Sequence, residues 1–394
     1  MRILVVGSGL MCPAAVFKAM SDPDVSGVTL CDRGEERLAE ARRKLSLLPG
    51  SEKFSTLRLD VTDLASAART MADFDSVIAA LPQALSADAI RAATSAGIPL
   101  IDLTRPSETE IPELRQRAGT AGSLVIPGCG VDPGLTEIVA RFLAEKLERV
   151  NELHIKCGGF PQTPAPPLGY KIVFGGRELP LREEDALVVE AGVLKPVPRY
   201  SGVEAVAFDG VGECEAYHEG FMPWLMELPA LRGLGAGTQK TVRWPGYAAK
   251  SALLKELGLL GREPVAVDGC RVAPKTFLDR LLEPRVRLEE NEKDLVVFRV
   301  DASGLKNGRP RRYRVQMADR YDEALGFTAM ARVTAFTAAI VARMAARGEL
   351  KGQGLVTPEH VITGATFDRL LTDLAASGIV FELTTEKTEP LAGG

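Results

Sequence analysis

The 394-residue chain holds only three histidines, His154, His218 and His360, and two tryptophans, with aromatic residues at 6%. Few side chains are on hand for acid–base work near neutral pH, so each histidine stands out. The six cysteines, at positions 12, 31, 129, 157, 214 and 270, are scattered and form no CxxC pair. That pattern excludes a disulfide framework and a cysteine zinc site, and fits a reducing, cytoplasmic setting with no metal. No apolar run approaches the roughly 20 residues of a membrane span. Neither sign of charge prevails: the net charge of −4 and the pI near 5.7 argue against a nucleic-acid surface and a polybasic membrane patch. The apolar run at the N-terminus has no basic leader or cleavage site, so it reads as a strand rather than a signal peptide.

What is present is ordinary globular composition, 46% hydrophobic and 25% charged, in a chain long enough for two domains. The stretch Met1 to Arg33 reads as a dinucleotide-binding βαβ unit. The apolar run Ile3-Leu4-Val5-Val6 leads into the turn Gly7-Ser8-Gly9, then a helix from Pro13 to Met20, then a second apolar run ending at Asp32. Gly7 permits the sharp turn, and Gly9 removes a side chain where a pyrophosphate would approach. The amides around Leu10 and Met11 open the helix towards that anion. Cys12 replaces the third glycine of the fingerprint, and Pro13 is suited to a first helical turn. Asp32 stands where a carboxylate accepts from the ribose hydroxyls, which makes NAD the expected cofactor and NADP the alternative, with Arg33 moderating the preference.

Further strands follow at Thr56 to Val61, Asp75 to Ala80, Pro99 to Thr104 and Leu124 to Pro127, with helices at Gly34 to Leu48 and Ala87 to Ala96. Alternation at this spacing gives a doubly wound parallel sheet, the Rossmann type of α/β fold. Asp60, before Val61, either accepts from the adenine amino group or serves the start of the next helix. Ala80, Leu81 and Pro82 let the backbone approach the cofactor, and Asp102, Leu103 and Thr104 complete the expected lining.

The loop Pro127 to Gly134 leads into a helix from Leu135 to Leu147 and is expected to line the ligand cleft. From Glu152 the pattern turns to strands at Leu153 to Lys156, Lys171 to Phe174, Val203 to Phe208, Cys214 to Tyr217, Leu295 to Val300 and Arg311 to Gln316. A helix at Tyr247 to Leu257 is laid on one face of a mostly antiparallel sheet. Gly326 to Arg347 forms an alanine-rich helix, with Phe336, Ile340 and Met344 on its apolar side, that returns to the first domain. The expected organisation is a dinucleotide-binding domain over 1–130, a second α/β domain for substrate and dimerisation over 131–325, and returning C-terminal helices over 326–394. A homodimer through the second domain's sheet is the default.

Several stretches together carry a family resemblance. They are Gly128-Cys129-Gly130-Val131-Asp132-Pro133-Gly134, Cys157-Gly158-Gly159-Phe160-Pro161-Gln162, Pro167-Leu168-Gly169-Tyr170-Lys171, Thr241-Val242-Arg243-Trp244-Pro245-Gly246-Tyr247 and Gly326-Phe327-Thr328-Ala329-Met330-Ala331-Arg332. Through them the chain resembles the saccharopine reductase-like superfamily, and within it the lysine 6-dehydrogenases. The resemblance implies a Rossmann domain, an α/β domain with a mixed or antiparallel sheet, and a nicotinamide enzyme acting at a C–N bond of an amino acid. In saccharopine reductases an aspartate of the Asp-Pro-Gly turn and a cysteine of the Cys-Gly-Gly segment lie beside the substrate, and here they match Asp132 and Cys157. The arginine-containing segment of those reductases is replaced by Tyr217-His218-Glu219-Gly220-Phe221, whose acid-glycine pair resembles the lysine 6-dehydrogenase pattern.

Oxidising an amine requires a neutral nitrogen, hence a base. Asp132 is the first candidate, or else the cap of the helix near Leu135. His218 beside Glu219 is the second, and Cys157 is either a supporting group or a small core residue. Glu219 either holds an ammonium, orients His218 or is a solvated turn residue. Arg243 presents a bidentate fork for an α-carboxylate, or makes a structural ion pair. Tyr170 follows a proline-rich loop expected to line the pocket, Phe174 and Trp224 are either core residues or walls of the substrate site, and Lys171 is not expected to form a Schiff base. The expected reaction is NAD-dependent oxidation of the lysine ε-amine to a semialdehyde that cyclises. The alternatives are a saccharopine-like or opine-type secondary amine, and a non-catalytic dinucleotide sensor.

Overall fold

The structure, a computed structural model, describes residues 1–176, 178–289 and 292–387. The chain forms two compact units: Met1–Ile138 with Asp322–Ile379, and Val139–Tyr321 with the segment that begins at Val380.

The first unit alternates strand and helix: β1 (Arg2–Val6), α1 (Cys12–Met20), β2 (Gly27–Asp32), α2 (Glu35–Leu45), β3 (Phe54–Arg58), α3 (Leu64–Met71), β4 (Ser76–Ala79), α4 (Gln83–Ala96), β5 (Leu100–Asp102), α5 (Ile111–Ala121), β6 (Leu124–Ile126) and α6 (Leu135–Ala144). By its contacts the chain passes into the second unit within α6. Local sequence explains the elements. In α2, Leu38, Ala41 and Leu45 make one buried stripe, with Glu35 and Glu36 in the first turn and Arg42, Arg43 and Lys44 in the last, matching the helix dipole. Strand β4 is buried along its whole length, as a parallel strand covered on both faces must be.

In the second unit come β7 (Arg149–Pro161), β8 (Ala186–Glu190), β9 (Val193–Val197), β10 (Glu204–Phe208), β11 (Gly212–His218), β12 (Ala236–Arg243), α7 (Tyr247–Glu256), the hairpin β13 (Val265–Val267) and β14 (Cys270–Val272), α8 (Pro274–Val286), β15 (Asp294–Lys306) and β16 (Arg309–Arg320). The chain then returns to the first unit with α9 (Ala329–Ala346), β17 (Gly354–Leu355), α10 (Pro358–Val361) and α11 (Ala365–Ala375), and β18 (Glu382–Lys387) goes back to the second. The expected C-terminal segment 326–394 is thus divided, and its residues 388–394 lie outside the described residues.

The first sheet has seven strands, all parallel, in the order β17-β6-β5-β4-β1-β2-β3. The strand order reverses between β1 and β4, and ligands of such sheets bind outside the carboxyl ends at that switch. Helix α9 is buried almost throughout; its alanines allow close approach to α1, where Phe17 meets Phe327 and Phe336 at ring-centre distances of 5.5 and 6.2 Å. Arg343 and Arg347 reach Asp22 at 3.0 and 2.8 Å. Among the described residues α9 is the one helix long and apolar enough to cross a membrane, and 94% of it is buried.

The second sheet has nine strands, with β10-β11-β12-β7-β15-β16-β18 as its path and β8 and β9 joined at β12. It is antiparallel except for the pairing of β12 with β7, so it is mixed. The expected strand Lys171 to Phe174 does not form. It is a loop making a single bridge from Ile172 to Arg287, because Ile172 and Val173 bury against other elements of this unit and not in a ladder.

Candidate functional site

In the first unit the site begins at the β1–α1 turn. Gly7 has φ +105°, and a Cβ there would meet the Ala80 carbonyl oxygen at 2.5 Å, so only glycine fits. A Cβ on Gly9 would meet nothing within 4 Å. The amides of Ser8, Gly9, Leu10 and Met11 make no hydrogen bond among the described residues. Free donors at a helix start beside open space fit a pyrophosphate, so the residues present suit a dinucleotide. Leu10 is 56% exposed at the same turn.

Asp32 sits at the end of β2, where its carboxylate accepts from the Ser8 hydroxyl at 2.7 Å and from the Gly34 amide at 2.8 Å. Those bonds orient it while it remains partly exposed, and Arg33 beside it is exposed. Asp60 is exposed and accepts from the amide and hydroxyl of Thr62, bonds that hold its carboxyl below the usual value. The cap of α3 is Asp63, which accepts from the Ser66 amide at 3.1 Å. Val61 is buried, Ala80 and Leu81 are half-buried, and Pro82 is exposed. Asp102 departs from its expected place in the lining. It is fully buried and accepts from the Ser86 hydroxyl and from the amide and hydroxyl of Thr104, anchoring the end of β5. Burial outweighs those bonds and pushes its carboxyl up to about 6. Leu103 donates its amide to Ala79 and continues the strand pairing.

The Asp-Pro-Gly turn lies in the same unit. Gly134 has φ +135°, and a Cβ there would meet the Gly130 carbonyl at 2.2 Å. Asp132 is half-buried, and the Thr136 hydroxyl lies 3.4 Å from its Oδ1. The carboxyl that caps the start of α6 is instead Glu137, whose Oε2 accepts from the Gly134 amide at 2.5 Å. Glu137 is 1% exposed, and burial together with the Asp132 carboxylate raises its pKa. Sequence reasoning passed over it, since an acid in a first helical turn usually only matches the dipole.

In the second unit, Arg243 ends β12 at 4% exposure. Its guanidinium lies 4.7 Å from the ring centre of Tyr170 and 5.7 Å from that of Tyr247. One Nη donates to the Val242 carbonyl, the Nε has no partner, and the group forms no ion pair among the described residues. The hydroxyls of Tyr170 and Tyr247 likewise lack a well-formed hydrogen bond. Burial opposes the charge on Arg243, whereas the phenol oxygens of Tyr170, Tyr217 and Tyr247 and the Glu219 carboxylate favour it.

The structure separates the expected pair His218 and Glu219. Successive residues of a strand face opposite sides. Glu215 pairs with Arg243 and Tyr217 with Thr241, whereas His218 pairs with Lys240, so His218 occupies the sheet face away from Arg243. Its ring lies 3.3 Å from the Ser201 hydroxyl, and burial, then the Lys240 charge, lowers its pKa. Glu219 neither holds His218 nor stands free: it binds the Arg199 guanidinium at 2.6 Å. Arg199, 7% exposed, went unread in the sequence because the pair joins β11 to a distant loop. Cys157 is buried opposite Thr241 and Phe298, on the Arg243 face. Phe174 and Trp224 are half-buried. Lys171 is held by the Arg287 carbonyl and Glu292 at 3.1 and 3.0 Å.

A parallel sheet with a glycine turn of free amides at its switch point, joined to a unit with a mixed sheet, defines a dinucleotide-binding protein of two α/β parts. Residues 3–126 match the saccharopine dehydrogenase NADP binding domain, and residues 130–379 match the saccharopine dehydrogenase C-terminal domain. The chain belongs to the saccharopine dehydrogenase family. It is 25% identical over 280 residues to the saccharopine dehydrogenase (NADP(+), L-glutamate-forming) of Pyricularia oryzae, a match covering 66% of this chain and 58% of that one. This chain thus spans less than two thirds of that relative. It is 20% identical over 385 residues to the carboxyaminopropylagmatine dehydrogenase of Synechocystis sp., covering 91% and 92%. The apo saccharopine dehydrogenase (L-Glu forming) of Saccharomyces cerevisiae shares the fold, with a TM-score of 0.79 and 19% identity over 98% of this chain and 99% of that one.

Proposed function

We propose that this chain is a nicotinamide-dinucleotide oxidoreductase acting on the C–N bond of an amino acid that offers one carboxylate to Arg243. The observation that carries the reading is Arg243 itself: a buried guanidinium with no carboxylate partner among the described residues and donors left over. A bidentate fork in that state is suited to a ligand carboxylate. The second buried arginine, Arg199, is already neutralised by Glu219, so a substrate needing two carboxylate clamps fits this unit less well. Lysine oxidised at its ε-amine meets that condition.

In the first unit, the bound dinucleotide would accept the hydride, and Ser8 to Met11 with Asp32 would hold it. Asp132 takes the proton that the amine must lose. Its Thr136 contact and partial exposure keep it oriented and reachable. NAD is the favoured form because the oriented Asp32 carboxylate repels a 2′-phosphate. A homodimer and a cytoplasmic setting go with this reading.

A secondary amine is the second reading. It is favoured by the names of three relatives, which are a saccharopine dehydrogenase, a carboxyaminopropylagmatine dehydrogenase and a carboxynorspermidine synthase. The test is reduced-dinucleotide formation, followed by absorbance, with NAD and NADP against lysine, ornithine, saccharopine and N-carboxyalkyl polyamines. Turnover of lysine supports the first reading. Turnover confined to secondary amines supports the second, and dinucleotide binding without turnover of any amine leaves a sensor.

A further inference from the structure

The Asp-Pro-Gly turn carries a second carboxyl that the reaction above does not use. Oε2 of Glu137 accepts from the Gly134 amide at 2.5 Å and lies 2.7 Å from the Thr136 hydroxyl oxygen. The same hydroxyl lies 3.4 Å from Oδ1 of Asp132. The Thr136 hydroxyl, which also lies 3.3 Å from the Val131 carbonyl, has one proton to donate and can accept another, so a protonated Glu137 donates to Thr136 while Thr136 donates to Asp132. Here it stands between two carboxyl groups, one half-buried and one 1% exposed. Two carboxylates sharing a site do not both ionise cheaply, and the one with less water gives way.

We propose that Glu137 is a positioning residue for Asp132, acting through Thr136 to fix the turn and to hold the single proton the pair retains. Asp132 then meets the reaction as an ionised base. This rests on the reading of Asp132 as the acid–base group. In the oxidative direction the amine proton passes to a carboxylate oxygen of Asp132 and leaves from there to water. Glu137 keeps its own proton throughout.

The charged groups facing Glu137 are consistent with that assignment. Asp132 comes from the turn and Glu359 from α10, and both disfavour a second negative charge on Glu137. Arg105, from the loop after β5, opposes them, but its charge is shared with Glu108 at 3.6 Å and with Glu359. Glu359 in turn has the His360 ring 3.3 Å away. The start of α6 also favours negative charge. Burial and two carboxylates therefore work against one shared arginine and a helix terminus.

The test is a carboxyl-carbon NMR titration of the full chain, with the Glu137 signal assigned by its loss in Glu137→Gln. The Glu137 carboxyl is expected to be still protonated at neutral pH, and its midpoint to fall in Asp132→Asn, where the like charge is gone. A Glu137 signal that titrates with the exposed carboxylates, or one unmoved by Asp132→Asn, overturns the proposal. Thr136→Val, which keeps the volume and removes the bridge, is the second variant should Asp132→Asn fail to fold, and a midpoint that it leaves in place counts equally against the proposal. In turnover, Glu137→Ala is expected to lower kcat/KM on the order of tenfold, about one hydrogen bond to a charged group. Glu137→Gln should recover part of that and remove the alkaline inflection of the pH profile. The titration needs no substrate, so it stands or falls separately from the assignment of the amine reaction.

Discussion

Arg243 and Tyr170 are stacked, guanidinium over ring, at 4.7 Å in the core of the second unit, and the guanidinium forms no ion pair with a carboxylate among the described residues. Burial opposes the charge, and the surrounding tyrosines and the more distant Glu219 carboxylate offset that cost without giving the fork a carboxylate to grip. Arg243→Met, which removes the burial cost and the offsetting ring contacts together, is therefore expected to change the unfolding midpoint little while raising KM for a carboxylate-bearing amine. Losing one partner of a buried charged pair costs about 2–5 kcal/mol, roughly 30-fold or more in kcat/KM. Arg243→Lys should restore little, since an ammonium lacks the planar fork. Thermal melts and steady-state kinetics on the same preparations check both halves, and a variant that loses stability but keeps its KM would mark Arg243 as structural.

Asp102 gives a pH signature of folding. Its carboxyl is pushed up to about 6 by burial, whereas an aspartate in the unfolded chain titrates near ~3.9. Between those values the folded protein binds a proton that the unfolded chain has released. Stability present below about pH 4 is thus lost as the pH rises through about 6, by on the order of 2–3 kcal/mol. Asp102→Asn is expected to remove that dependence. Urea unfolding of both proteins at several pH values gives the difference curve, and a flat difference would sink the assignment.

How much of this was legible in the sequence depended on range. The β1–α1–β2 unit was legible because its signals are local: a four-residue apolar run, a glycine turn, a proline-bearing helix start and an acid at the second strand's end. Helices α5 and α8 went unread, as did the parallel pairing of β12 with β7, which depends on residues some eighty positions apart. Lys171 to Phe174 looked like a strand because four residues carry too little period to tell a strand from a buried loop. His218 and Glu219 both lay past the expected strand Cys214 to Tyr217, whereas the observed β11 runs on to His218, so the alternation that turns His218 away from Arg243 could not be applied to it. Arg199 could not be found this way, since nothing local ties it to Glu219.

Glu215 provides a test of how the arginine's surroundings are held. Its carboxylate accepts from the Gly246 amide at 2.8 Å and from the Ala248 amide at 2.6 Å, capping α7. Tyr247, the first residue of that helix, is one wall beside Arg243. Glu215→Ala removes both acceptors and leaves buried donors, at a cost of about 1–2 kcal/mol in stability. Calorimetry should show the fall, and Glu215→Gln, which keeps one acceptor, should show a smaller one. Equal losses in the two variants would mean that the amide bonds are not what holds the helix start.

The dinucleotide preference turns on Asp32. Its two oxygens are oriented by Ser8 and Gly34, so the carboxylate cannot swing away from a 2′-phosphate without breaking a bond at 2.7 or 2.8 Å. Removing it does two things at once: it deletes an acceptor for the ribose hydroxyls and it takes a negative charge away from a strand end that carries Arg33 and, across the ladder, Arg58. Asp32→Ala is therefore expected to weaken NAD by about 1.5–3 kcal/mol, tenfold or more in Kd, the range for a hydrogen bond to a charged group. NADP should be weakened less or gain, so the ratio of the two should fall. Fluorescence titration with the reduced dinucleotides measures the ratio directly and needs no amine substrate. Ser8→Ala should move it the same way by a smaller step, because the carboxylate stays but loses one of its two anchors. A ratio unchanged in Asp32→Ala would show that Asp32 does not set the choice of dinucleotide, and the preference would then have to lie with Arg33 or beyond the end of β2.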